Sequence, residues 1–366
     1  MDLSNYWLQL VWLFLFGIIS LLFIPKREEI VLGAPQMRWG KLSAAVLAVP
    51  FVLWAAWRTD LFGDTGQYRA TFRAMPTGLS NLFSYVGSRS KGPGFVTFEY
   101  LFKTIISDSD VFFFLVVALI QMCFLVRVFR KYSCNYWLSM FLFVASTDYM
   151  SWMHNGIRQF LAVTIIFAAL PLLVKHKYVL MCIIVLICAL IHSSALAFLP
   201  FIFVVNGRAW NTRTLLFLIG LSFAILFVDR VSGFIVKSME DTVYEGDIAL
   251  FLEDDGTNIL RVLFYSVPTI ASWLFRDRIY EENDPVINVC TNLSIVSAGV
   301  YLFSYFTSGI LIGAIPIYFS LANYILIPWL VKNLFTRESA PFVQGLVILT
   351  YSYFFYYQIV ETWHVV

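Results

Sequence analysis

The segment that decides the fold covers residues 136–174 and reads "YWLSMFLFVASTDYMSWMHNGIRQFLAVTIIFAALPLLV". Two apolar stretches, 136–153 and 156–174, are each long enough to cross a membrane. Between these stretches, and at the start of the second, lie four polar residues, namely His154, Asn155, Arg158 and Gln159. A charged side chain at the bilayer centre costs about 2.5–3.5 kcal/mol on insertion scales. These four residues are therefore predicted to lie near the membrane surface, where two spans meet.

The composition of the whole chain is that of a polytopic membrane protein. Of its 366 residues, 60% are hydrophobic, 18% are aromatic and only 13% are charged, and the mean hydropathy is +0.78. Soluble domains carry about 25% charged residues, so a soluble domain is excluded. The first five residues lack the basic start of a secretory signal, and the run 6–24 is long enough to be the first span.

Apolar runs predict an all-α bundle of about twelve transmembrane helices. They lie near 6–24, 41–57, 111–127, 136–153, 156–174, 178–191, 194–206, 213–228, 259–275, 286–306, 311–331 and 341–360. The run 178–206 is interpreted as a helical hairpin that is broken around His192. Basic residues cluster in alternate connections, which the positive-inside rule assigns to the cytoplasm. Both termini are then predicted to lie on the opposite side, outside the cytoplasm.

Two longer connections, 58–110 and 229–258, are predicted to be extracytoplasmic. The first is rich in both signs of charge, and the second is acidic. Neither is large enough to predict a separate domain, and no internal repeat supports an inverted-repeat transporter. We expect one membrane domain over 1–366, with loops and short helices that form an outer cap.

The polar residues after the fourth predicted span are spaced for one helical face. His154 and Arg158 are four residues apart, and so are Asn155 and Gln159. Such a face near the outer surface predicts one wall of a water-filled cavity, in which Arg158 grips a phosphate or carboxylate with its planar fork. The alternative is an arginine that reaches the lipid headgroups from a helix end.

Three further segments contain candidate residues. His192, at the predicted break, could act as an acid, a base or a neutral donor, or it could be a packing residue. In "RTDLFGDTGQYRATFR" (58–73), Asp64 is the best candidate general base and Tyr68 offers a ring for stacking. In "SKGPGFVTFEYLFK" (90–103), Glu99 is a weaker candidate because it is expected to pair with Lys103, four residues later.

The sequence contains no motif for nucleotide binding, serine hydrolysis or zinc-dependent hydrolysis. There is no GxxxxGK[ST], GxSxG or HExxH, and five scattered cysteines show no metal-ligand spacing. Asp108-Ser109-Asp110 has DxD spacing but reads as a helix cap, and Asp254-Asp255 is a poor metal site. We therefore expect no metal, no cofactor, no coupling to ATP and no nucleic-acid partner.

Four pieces of the sequence, in this order, resemble Wzy/EpsG-type polysaccharide polymerases. They are Arg58 with "GDTGQY" (63–68), "NGIRQFLA" (155–162), His192 before "SSAL", and "IPIYFSLANYILIPWL" (315–330). The resemblance implies a fold like that of multi-span, GT-C-like glycosyltransferases, in the bacterial inner membrane. It implies an enzyme that joins undecaprenyl-pyrophosphate-linked oligosaccharide repeat units, both donor and acceptor, at the outer face. A chain-length regulator and a flippase of the same pathway are the protein partners that it implies.

The same resemblance implies roles for individual residues. Arg158 would stabilise the leaving pyrophosphate, while Asp64 or His192 assists the acceptor hydroxyl. The expected substrate-binding residues are Arg58, Tyr68, Arg69, His154, Asn155, Gln159, Arg261 and Tyr318. Similar sequences often carry an arginine before the last motif, where this chain has Gly313-Ala314-Ile315. Arg261 could substitute for it, or an arginine has been replaced to silence the enzyme.

Three other functions remain open at this point, and the simplest is a lipid-scaffolding protein with no chemistry. A flippase would need polar groups along a path to both faces, whereas the charges here gather near one side, apart from Asp148, which could pair with Arg158. A glycosyltransferase that uses a polyprenyl-phosphate sugar would be chemically close to a polymerase.

Overall fold

The apolar runs of the sequence form helices in the computed structural model, which describes residues 6–31, 34–60, 62–89, 91–240 and 245–364. The first helices are α1 (Trp7–Phe23), α2 (Lys41–Ala56), α3 (Thr65–Ala74), α4 (Leu82–Gly87), α5 (Pro93–Leu101), α6 (Asp110–Tyr132), α7 (Tyr136–Ala145), α8 (Ile157–Ala168), α9 (Leu170–Val174) and α10 (Tyr178–Ile191). They are followed by α11 (Phe201–Val204), α12 (Thr212–Leu226), α13 (Val228–Met239), α14 (Ile248–Glu253), α15 (Ile259–Leu274), α16 (Arg276–Glu282), α17 (Pro285–Tyr305), α18 (Ile317–Ser320), α19 (Asn323–Leu334) and α20 (Ala340–Tyr356). Short 3₁₀ segments cover Leu79–Asn81, Ser193–Phe198 and Glu245–Asp247, and π-helical segments cover Phe102–Ile106, Tyr149–Asn155 and Tyr357–Thr362.

The lengths and composition of these helices are those of a helical membrane protein. Three described stretches are long and apolar enough to cross a membrane, namely Asp110–Tyr132, Ile157–Val174 and Pro285–Tyr305. A fourth is added if α12 and α13, which are bent by 92° at their junction, form one span. Other predicted runs form apolar helices of 10–17 residues, including α1, α2, α7, α10 and α15. The total of twelve spans stays a prediction.

A β-hairpin between α1 and α2 departs from the all-α prediction. Strands β1 (Lys26–Val31) and β2 (Ala34–Trp39) pair antiparallel, with Lys26 opposite Trp39. The hairpin is anchored to the end of α6. Arg38 donates to the Lys131 and Ser133 carbonyls at 3.1 and 2.7 Å, and Arg130 donates to the Trp39 carbonyl at 2.8 Å. These contacts join residues more than 90 positions apart, so local sequence patterns do not reveal them.

The chain divides into two compact units. The first unit contains the described residues of Met1–Ala168, Ile187–Ser193 and Val331–Val366, and the second those of Ala169–Leu186 and Ser194–Leu330. A single membrane domain over 1–366 thus stays a prediction. Of the two predicted outer loops, 58–110 contains α3, α4 and α5. Leu61 and Ser90 of that loop, and 241–244 of the acidic loop, lie outside the described residues.

An aromatic core in the first unit holds the 58–110 segment against α6 and α8. Its buried members are Phe72, Phe95, Phe102, Phe113, Phe114, Val117, Ile157 and Leu161. The Phe72 and Phe113 rings stack with their centroids 5.1 Å apart. Burial of one such side chain stabilises the fold by about 1.5–3 kcal/mol. This core therefore fixes where α3, α5 and α8 present their polar side chains.

Candidate functional site

Residues 149–163 do not form one continuous helix. The π-helical segment Tyr149–Asn155 ends at Gly156, whose φ and ψ are −81° and 44°, and α8 begins at Ile157. A Cβ atom on Gly156 would lie 2.7 Å from the Trp152 ring, so a side chain would not fit at this break. The prediction that His154 and Arg158 share one helical face is therefore wrong, because the i,i+4 spacing holds only along an uninterrupted α-helix.

His154 lies in the protein core. Its side chain is 1% exposed, and its ring packs edge-on against Phe62 and Tyr149 with centroid distances of 6.0 and 4.9 Å. Its backbone carbonyl accepts a hydrogen bond from the Thr65 hydroxyl at 3.2 Å. In this position His154 supports the start of α3 and has no surface to offer a substrate.

Arg58 is also buried, beneath the same loop. Its guanidinium donates to the Thr65 hydroxyl at 3.0 Å and to the Ala55 and Met153 carbonyls at 2.8 and 3.3 Å. It also lies 4.1 Å above the Phe114 ring. Burial, and then the charge of Arg69, lower the pKa of Arg58 to about 9. These contacts connect the end of α2, the start of α3 and the π-helical segment Tyr149–Asn155.

Arg69 belongs to an ion-pair network beside Arg58. It contacts the Asp60 carboxylate at 2.5 Å and donates to the Arg58 carbonyl at 3.0 Å. Asp110, at the start of α6, lies 3.8 Å from Arg69 and 2.7 Å from Arg73. Carboxylates therefore already neutralise much of the charge of Arg69.

Asn155 shapes the loop that carries Asp64. The Asn155 side-chain oxygen accepts a hydrogen bond from the Asp64 backbone N–H at 2.8 Å. Gly63 has a φ of +54°, and a Cβ atom there would lie 2.2 Å from the same oxygen. Asp64 is exposed and begins the turn that leads to Tyr68, whose N–H donates to the Asp64 carbonyl at 3.0 Å.

The charge of Arg158 acts on several other polar groups of the first unit. Its guanidinium carbon lies 5.8 Å from the centre of the Tyr68 ring, and the guanidinium hydrogen-bonds the Tyr68 hydroxyl. Burial raises the pKa of that hydroxyl, and Arg158 opposes the rise. Among the described residues, no carboxylate forms an ion pair with Arg158, and its buried Nε lacks a hydrogen-bond partner. A half-buried cation of this kind is suited to an anionic ligand.

His192 lies beside Arg158 in the same unit. The predicted break at this residue is confirmed, because α10 ends at Ile191 and a 3₁₀ segment begins at Ser193. Gly92, with a φ of +67°, allows the start of α5 to approach, since a Cβ atom there would lie 2.9 Å from the Ile191 carbonyl. Burial, then the charges of Arg158 and Lys91, lower the pKa of His192 to about 4. The imidazole is therefore neutral at pH 7.

Glu99, on α5, has the burial and the raised pKa that are typical of a general base. It is 5% exposed, and burial raises its pKa to about 7 against the opposing charges of Arg158, Arg89 and Lys103. The expected pair with Lys103 does not form, because the Lys103 ammonium donates to three backbone carbonyls at 2.6–2.8 Å. We call Arg158, Tyr68, His192 and Glu99 the Arg158 cluster.

The remaining candidates lie elsewhere. Gln159 is buried on α8, and Asp148 is buried near Tyr351. Arg261 and Tyr318 belong to the second unit. There, Arg261 lies 5.9 and 5.8 Å from the Tyr265 and Tyr301 ring centres, and the Tyr318 hydroxyl lies 2.9 Å from the Ser194 hydroxyl.

Comparison with known families decides the identity of the chain. The family model described as "EpsG family" matches residues 41–364, which include both compact units. The chain belongs to the EpsG family. This is a family of Wzy-type polysaccharide polymerase/EpsG-like proteins, so its general function is that of a polymerase of the glycosyltransferase type. No curated protein and no solved structure matches the chain.

Within this EpsG-family protein, the burial of Glu99 was not predicted from the sequence. The spacing contained a usable signal, because Glu99 follows the buried residues Phe95 and Val96 by four and three positions. A carboxylate on the buried face of an amphipathic helix is unusual unless it is paired or functional. In the part of the chain that the structure describes, no group of three His, Cys, Asp or Glu residues could hold a metal ion.

Proposed function

We propose that this EpsG-family protein joins oligosaccharide repeat units carried on undecaprenyl pyrophosphate, at the outer face of the bacterial inner membrane. The observation that supports this most is Arg158. It is a half-buried guanidinium with no carboxylate partner among the described residues, it lies against the Tyr68 ring, and its charge acts on the buried Glu99. A pyrophosphate leaving group is the anion that such a guanidinium stabilises well.

The proposed reaction is a single displacement. The hydroxyl oxygen of the acceptor unit forms a bond to the anomeric carbon of the donor glycan. The bond from that carbon to the pyrophosphate oxygen breaks, and its electron pair stays on the pyrophosphate. Arg158 stabilises the charge that develops on this leaving group, and Tyr68 donates a hydrogen bond to the same oxygens.

The acceptor proton must go to a base, and we assign this role to Glu99. A base is most effective when its pKa lies near the working pH, and burial raises the pKa of Glu99 to about 7. Asp64 is the second carboxylate candidate, exposed one helical turn before Tyr68. Because His192 is neutral at pH 7, we assign it the orientation of a sugar hydroxyl rather than proton transfer.

Fixed side-chain charges would make a metal ion unnecessary in this scheme. Metal ions in phosphoryl and glycosyl transfer neutralise the charge of the leaving group, and here Arg158 and its neighbours would supply that charge. Activity that persists in a chelator would agree with the proposal, and activity that needs an added divalent cation would contradict it.

The test uses purified full-length protein and lipid-linked repeat units, with a ladder of longer glycans as the readout. Arg158→Ala should remove the ladder, and Arg158→Lys, which keeps the charge but loses the planar fork, should retain only part of it. Arg337→Ala is the matched control, because Arg337 is exposed and belongs to no ion pair among the described residues. All three variants are checked for an unchanged melting temperature.

Other outcomes distinguish the alternatives. A full ladder from Arg158→Ala would disprove the role of that residue. No ladder from the wild type, together with transbilayer movement of the lipid-linked unit, would indicate a flippase. Transfer of one sugar from a polyprenyl-phosphate donor, without elongation, would indicate the related glycosyltransferase.

A further inference from the structure

A groove runs along the surface of the first unit, between α2 and α6. Its cavity volume is about 740 Å³. Small and apolar side chains form most of its wall, and they include Ala45, Val49 and Leu53 from α2 with Leu119, Cys123 and Val126 from α6. Val49, Leu53 and Leu119 are 50%, 42% and 49% exposed. Apolar side chains with this exposure suit a lipid environment.

One end of the groove is basic. Lys41 at the start of α2, and Arg127, Arg130 and Lys131 in the last turns of α6, all line it. Arg130 is already engaged, because it pairs with Glu29 and donates to the Trp39 carbonyl. No ion pair involves Lys41, Arg127 or Lys131 within the described residues. Three cations therefore remain available at this end.

The basic end lies at the opposite end of α6 from the Arg58 network. Near the groove's basic end, Arg130 contacts Trp39 just before α2, and the Tyr136 hydroxyl donates to the Ala44 carbonyl at 2.9 Å. At the other end of α6, Arg58 stacks on Phe114. The helix has 23 residues, so its ends are about 35 Å apart. None of the residues that line the groove belongs to the Arg158 cluster.

On the α2 side, the groove is about as long as one membrane leaflet is thick, and on the α6 side, from Leu115 to Lys131, it is about 24 Å long. From Lys41 to Leu53, α2 rises about 18 Å at 1.5 Å per residue. Half of a hydrocarbon core of about 30 Å is about 15 Å. A chain that fills this groove would therefore begin at the headgroup region, beside the cations, and end near the bilayer midplane.

We propose that this groove binds one anionic glycerophospholipid of the surrounding bilayer. One acyl chain lies along the small side chains of α2, and the phosphate lies among Lys41, Arg127 and Lys131. The cluster of three cations selects a headgroup with net negative charge over a zwitterionic one. Under the positive-inside rule these cations mark the cytoplasmic side, so the bound lipid belongs to the leaflet opposite the Arg158 cluster.

The test measures lipid binding to the full-length chain by native mass spectrometry, with phosphatidylglycerol and phosphatidylcholine as probes. We expect about tenfold stronger retention of phosphatidylglycerol. The variant Lys41→Gln/Arg127→Gln/Lys131→Gln should lose that preference. The control is Lys175→Gln/Lys177→Gln/Lys332→Gln, which removes three exposed cations outside the groove and should keep the preference.

A second variant tests the groove without a change of charge. Ala45→Phe adds a ring into the groove from an exposed position, so it should weaken phosphatidylglycerol binding several-fold at an unchanged melting temperature. The proposal is overturned if both lipids bind equally, or if the two triple variants behave alike. It is also overturned if undecaprenyl phosphate displaces phosphatidylglycerol at equal concentration, since the groove would then be a site for the polyprenyl carrier.

Discussion

The assignment of Glu99 as the base predicts a specific pH dependence. A base must be deprotonated to act, and burial raises the pKa of Glu99 to about 7. The deprotonated fraction therefore rises about tenfold between pH 6 and pH 8, and the rate of ladder formation should rise with it. Glu99→Gln should remove this rise and lower the rate by about 10²–10⁴-fold, which is the usual contribution of a general base.

The raised pKa of Glu99 also predicts that the folded state loses stability as pH rises, whereas activity increases. A carboxyl group whose pKa rises on folding from 4.5 to about 7 destabilises the folded state as pH increases through that interval. At 1.36 kcal/mol for each pH unit, the loss above pH 7 is about 3 kcal/mol at most. Glu99→Gln removes the ionisable group, so this variant should melt at an equal or higher temperature than the wild type at pH 8.

The assay combines initial rates of ladder formation from pH 5.5 to 8.5 with melting temperatures over the same range. Asp64→Asn is the matched comparison, because it removes the second candidate carboxylate, which lies near Tyr68. Loss of the rising limb in Asp64→Asn, with a normal pH profile in Glu99→Gln, would refute the assignment. A Glu99→Gln variant that is inactive only because it unfolds would be recognised by its lower melting temperature.

Three further substitutions test the packing around the site and in the second unit. Gly63→Ala should lower the melting temperature, because a positive φ costs an alanine about 1–2 kcal/mol and its Cβ would displace the Asn155 oxygen; an unchanged melt would mean that the loop relaxes freely. Arg58→Lys should destabilise the first unit by about 1–3 kcal/mol, since an ammonium cannot make the same set of hydrogen bonds. If it melts normally but loses activity, Arg58 binds substrate instead. In Asp254, burial would raise the pKa, but hydrogen bonds from the Ile310 N–H and Ser308 hydroxyl lower it. Its stabilising effect should therefore be lost as pH falls below about 4, and Asp254→Asn should show a smaller loss of stability over that range.

Much of the fold could be predicted because it depends on local hydropathy. Many apolar runs formed helices, although 194–206 and 311–331 are divided into short helical segments. The break at His192 coincides with "IHSS", a polar interruption of an apolar segment. The β-hairpin was not predictable in this way. Its strands contain charged residues that are typical of a cytoplasmic loop, and its anchors on α6 join residues more than 90 positions apart.

The site was predictable in part. Arg158, Tyr68 and His192 were all singled out, and the structure brings them together in the first unit. Their proximity depends on close backbone approaches, such as that of Gly92 to Ile191, which no spacing rule contains. The burial of Arg58 and His154 depends on tertiary packing in the same way. A sequence motif can single out both polar side chains, but only tertiary packing shows that they are buried beneath the loop before α3.

The π-helical segment before Gly156 also affects how related chains should be aligned. In that segment, the Gly156 N–H donates to the Ser151 carbonyl, five residues earlier, at 3.3 Å, so one turn contains an additional residue. A chain that lacks one residue between 149 and 155 could form an ordinary α-turn there and still place an arginine at the position of Arg158. An alignment that opens no gap at this point would then pair residues that face different directions. Length variation in this short segment would thus alter the core around His154 while leaving the chemistry of α8 intact.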